Sequence, residues 1–85
     1  MKLIIKMENG KEYDLNTEKP GSEYMMNRIL AQRGGWAILD DPLYPSNNGR
    51  TVLIPTCKVA SVRAAYQEDE DQFKRMCLIW LGMKE

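Results

Sequence analysis

The chain contains no histidine. That absence removes the commonest general base, the histidine half of Ser-His and Cys-His nucleophile pairs, and the usual transition-metal ligand. Cysteine is scarce: Cys57 and Cys77 are too few and too far apart for a disulfide framework, and in a reducing compartment they read as small buried hydrophobes. A zinc site would have to combine those two distant thiols with carboxylates, so no metal site is assigned. A phosphate cradle is missing, because Gly34-Gly35 ends a helix instead of beginning one and no Lys-Ser/Thr follows it. No catalytic and no cofactor-binding residue is therefore assigned, and the protein is expected not to be an enzyme.

Charge excess is absent too. The 12 basic and 12 acidic residues cancel, which leaves no global field to draw the protein to nucleic acid, an anionic membrane or a basic partner. No apolar run approaches a bilayer span, and "MKLIIKMENG" has neither a signal-peptide core nor a small-residue cleavage site. A cytoplasmic protein without membrane contact is expected.

What remains is ordinary globular material, 85 residues with 44% hydrophobic and 28% charged side chains, which reads as a single domain over 1–85. Such a chain buries only about 60 to 65% of its unfolded surface, so its core is small. "KMENGKEYDL" predicts a β-hairpin, and its register follows from arithmetic. A two-residue Asn9-Gly10 loop would set Ile5 against Asp14 and Met7 against Glu12. A three-residue Glu8-Asn9-Gly10 loop with Gly10 as a left-handed bulge sets Leu3 against Leu15, Ile5 against Tyr13 and Lys6 against Glu12. The second gives one apolar face and a cross-strand ion pair of Lys6 with Glu12 that would protect an edge. It is preferred, since a slip of one residue would move the apolar set to the wrong face.

Ser22 is placed to cap a helix over about 23–33 by accepting a backbone N–H, with Met25, Met26, Ile29 and Leu30 on one face and Gly34-Gly35 as a left-handed stop. "WAILD" and "TVLI" predict a second hairpin with a long loop, and Pro55 should end or bend its second strand. "KVASVRAAY" predicts a fifth strand or a continuation past that bend. In "QEDEDQFKRMCLIWLGMKE", Phe73, Met76, Cys77, Trp80 and Leu81 repeat at helical spacing behind the acids Glu68 to Asp71. The expected architecture is α+β: an antiparallel sheet of 4–5 strands in ββαββα order, with two helices packed on one face.

Carboxylates cluster at Asp40-Asp41 and in "EDED". Either a cation or an imitation of nucleic-acid phosphate would use them, yet the ligand alternation and internal glycine of an EF-hand are missing, and a solvated turn and a helix N-terminus account for both. Arg50, Lys58, Arg63, Lys74 and Arg75 are interleaved with acids and lack an aromatic stacking platform. Two features exceed the needs of a core. Leu43 and Tyr44 lie between two prolines, a stiffened loop presenting apolar side chains at low entropic cost, and with Arg50 they are assigned to partner binding. Leu78 and Ile79 lie outside the Phe73-Trp80 stripe; with Met83 they are assigned to self-association as a two-fold homodimer.

"NGKEYDL" and "IPTCKVASV" resemble motifs of small accessory proteins of bacteriophages and mobile elements of Gram-positive bacteria. The resemblance implies a non-enzymatic protein that, in the manner of anti-CRISPR and other anti-defence proteins, inhibits a partner protein by steric occlusion. Two alternatives stand beside it, a small nucleic-acid-binding or regulatory module and a homo-oligomeric structural component of a phage particle.

Overall fold

The computed structural model describes residues 1–18, 21–31, 35–39 and 47–80. In chain order it comprises β1 (Lys2–Met7), β2 (Glu12–Asn16), α1 (Ser22–Ala31), β3 (Trp36–Ile38), β4 (Leu53–Pro55), β5 (Val59–Ala64) and α2 (Glu70–Trp80). The mixed α and β content follows expectation; the single sheet does not. The strands divide into a three-stranded antiparallel sheet of order β2-β1-β5 and a two-stranded antiparallel sheet β3-β4. Both edges of β1 are taken, by β2 and β5, and β3 and β4 pair with each other in the separate sheet.

The first hairpin has the three-residue loop and the register that its pattern predicts, with Leu3 opposite Leu15, Ile5 opposite Tyr13 and Lys6 opposite Glu12. Gly10 has φ of 90°, and the Met7 N–H reaches the Lys11 carbonyl at 2.8 Å around the bulge. The expected Lys6-Glu12 ion pair is replaced: Glu12 reaches across β1 to Arg63 of β5 at 3.0 Å, and Lys2 pairs with Asp14 at 3.2 Å. The central strand thus carries Lys6 between two strands whose charges pair over it. Lys6 and Glu12 do not guard an edge as a pair, because β1 is interior.

Leu3, Ile5 and Leu15 are fully buried on the inner face of this sheet. Met26 and Ile29 of α1 meet them, with Met25 and Leu30 half-buried beside them, as the helical spacing predicts. Ala37, Leu39 and Ile54 bring the small sheet into the same cluster, and Phe73 of α2 packs against it. Ser22 departs from expectation. Its hydroxyl donates to the Thr17 carbonyl at 2.8 Å and ties the helix to the end of β2, while Gly21 before it takes the left-handed conformation at φ 85°. Gly35 is not the left-handed stop either: its bare Cα lies against the Arg28 guanidinium, where a Cβ would collide. Gly34 lies outside the described residues.

One corner joins the two sheets. Pro55 closes β4, and the 3-10 turn Thr56–Lys58 leads into β5. Thr56 is 1% exposed; its hydroxyl donates to the Gly35 carbonyl at 3.0 Å and accepts the Gly35 N–H at 3.1 Å, while its own N–H reaches the same carbonyl at 2.9 Å. Pro55 therefore ends one strand and "KVASVRAAY" opens another in a different sheet. Cys57, expected inside, is exposed on the outside of this corner.

Candidate functional site

The pairing of β3 with β4 sets Trp36 opposite Pro55, Ala37 opposite Ile54 and Ile38 opposite Leu53. Side chains alternate across a strand. Ala37 and Ile54 therefore face the core, at 2% exposure each, and Trp36, Ile38 and Leu53 face outward, at 57, 50 and 57%. Together with half-buried Pro55 they form an outer face with no charged side chain from either strand. A sheet face of this composition normally carries polar residues when it meets water. Three large apolar side chains on one small open face exceed the scattered exposure usual for a soluble domain.

The approach to β4 is held by an unusual turn. Asn47, Asn48 and Gly49 are consecutive residues at positive φ, 48, 61 and 75°. Asparagine and glycine are the residue types that enter this region at least cost. The turn aims the Asn47 amide at the outer edge of β2, where its Oδ1 accepts the Asp14 N–H at 2.6 Å and its Nδ2 donates to the Asp14 carbonyl at 3.1 Å. The side chain thus stands in for one residue of a neighbouring strand and closes that edge at Asp14. Arg50 follows directly, exposed, with its N–H on the Asn47 carbonyl at 3.3 Å. A cleft of about 410 Å³ opens between Glu12 and Tyr13 of β2, this turn, and Leu53 of β4.

Of the residues assigned to partner binding, Arg50 therefore adjoins the apolar face. Leu43 and Tyr44 lie outside the described residues, in the connection between β3 and β4. Of those assigned to self-association, Leu78 is half-buried like Phe73, Met76 and Cys77, so burial does not single it out. Met83 and the side chain of Ile79 lie outside the described residues, as do Asp40, Asp41 and Leu81. Burial pushes the Cys77 thiol above its ordinary pKa.

A second hollow, about 460 Å³, lies at the start of β1 between Lys2, Asp14, Tyr66, Glu68 and Asp69. Among the described residues no group of three or more carboxylates and thiols converges to hold a metal ion. The acids Glu68 and Asp69 fall in the 3-10 turn that enters α2, and Glu70 and Asp71 in its first turn, where the helix dipole favours negative charge. Among the described residues no helix is long and apolar enough to cross a membrane.

No family model, no curated protein and no solved structure matches the chain. The two motifs that carry the phage resemblance have local structural uses. "NGKEYDL" spans the Gly10 bulge and β2, and "IPTCKVASV" spans the end of β4, the Thr56 corner and most of β5.

Proposed function

We propose that the protein is a non-enzymatic binding module that docks a protein partner on the outer face of β3 and β4. The observation that carries this reading is the face itself: Trp36, Ile38 and Leu53, each half or more exposed, side by side with Pro55. Aromatic anchors flanked by aliphatic side chains are the usual energetic centre of a protein interface. Arg50 at one end, with Leu43 and Tyr44 in the segment joining the two strands, extends the contact set. The finer reading is a cytoplasmic accessory factor of a phage or mobile element that inhibits its partner by occlusion and dimerises through Leu78, Ile79 and Met83; its support is the motif resemblance and the apolar second half of α2 in the sequence.

Affinity capture with the wild-type chain and a Trp36→Lys/Leu53→Lys variant tests the proposal. The wild type should retain a discrete protein through a wash at high salt, and the variant should lose it while staying folded. Retention by both would remove the face from the account. Loss from the wild type on adding salt, with release of nucleic acid, would favour the nucleic-acid module, whose affinity falls steeply through counterion release.

A further inference from the structure

The edge of β4 remote from β3 has main-chain groups to offer. Leu39 donates to the Val52 carbonyl at 2.8 Å and the Thr56 N–H reaches Gly35 at 2.9 Å, so positions 52, 54 and 56 turn their main chain toward β3. By the same alternation Thr51 and Leu53, which line the cleft, turn theirs away from β3. Pro55 occupies the third outward position, where its missing N–H costs the ladder nothing. The facing edge of β2 is already closed at Asp14 by Asn47, whereas no described residue hydrogen-bonds the outward groups of Leu53.

The charge in the cleft is one-sided. Glu12 is engaged by Arg63 at 3.0 Å, while the Arg50 guanidinium makes no ion pair among the described residues. Area decides what kind of occupant fits. Three half-exposed apolar side chains present on the order of 300 Å², well short of the ~800 Å² per partner of a stable interface. Main-chain pairing supplies the remainder independently of side-chain area. A second copy of this chain is a poor fit: two β4 strands paired about Leu53 would set Thr51 against Pro55 twice, and each Thr51 carbonyl would lack its donor.

We infer that the cleft takes an extended peptide segment bearing a carboxylate, which adds as a strand to β4 at Thr51 and Leu53 and sets its carboxylate against Arg50. This rests on the docking reading above and names the chemistry of the partner.

The test uses a blocked hexapeptide of alternating valine and threonine with one glutamate, titrated into the full-length ¹⁵N-labelled protein. Binding should slow amide hydrogen exchange at Thr51 and Leu53 at least tenfold. N-methylation of every second peptide amide should weaken affinity at least tenfold. Glutamine for glutamate, or Arg50→Ala in the protein, should each weaken it about threefold or more, with no further loss when combined. Binding that leaves exchange at Leu53 unchanged and tolerates N-methylation overturns strand addition while the apolar docking face stands. No binding at millimolar peptide also overturns strand addition, and the capture experiment then decides the docking reading separately.

Discussion

Gly10 and Asn47 show how single backbone positions decide this structure. At φ 90°, Gly10 occupies a region that a Cβ penalises, and nothing lies within 4 Å of where that Cβ would sit, so the cost of a substitution is conformational alone. Gly10→Ala should lower stability by about 1 kcal/mol in urea unfolding, and an unchanged midpoint would refute the bulge register. Asn47 combines positive φ with two hydrogen bonds to Asp14. Asn47→Gly keeps the backbone freedom and removes both bonds, so it should cost about 1 to 3 kcal/mol and speed exchange of the Asp14 amide. The first residue was legible because "NG" between alternating apolar positions has few geometries. The second was not, because a side chain that imitates a strand leaves no period in the sequence.

At the scale of elements, local pattern and tertiary assignment part company. Strand alternation and helical spacing placed the hairpin register, the buried face of α1 and the antiparallel pairing of "WAILD" with "TVLI". They could not say that β3 and β4 form their own sheet, since that depends on how the chain turns at Pro55 and Thr56. The outward face had a signal that could have been read: in "WAIL" both alternating sets are apolar, and Ala37 and Leu39 take the inside while Trp36 and Ile38 face out. A strand apolar on both faces needs two covers, and among the described residues β3 has one. The corner between sheets should be the sensitive joint. Thr56→Val keeps the volume but leaves the Gly35 N–H without its acceptor, and should cost about 1 to 3 kcal/mol in thermal or urea unfolding. A neutral result would mean that Pro55 alone makes the corner.

Over the whole molecule, buried and exposed apolar residues divide the work. One small cluster, drawn from both sheets and both helices, holds the fold together. The paired charges on the outer face of the larger sheet, Lys2 with Asp14 and Glu12 with Arg63, leave that surface suited to water. Among the described residues the outer face of β3 and β4 has no such charge pairs, and Arg50 and the cleft adjoin it. The central claim is that this face meets another protein. A photo-crosslinking amino acid placed at position 53, compared with one at exposed Gln72 on α2, tests it most directly. On irradiation in cells that make the partner, position 53 should give a discrete heavier adduct with a second protein and position 72 none. No adduct from position 53, or equal diffuse labelling from both positions, would contradict it.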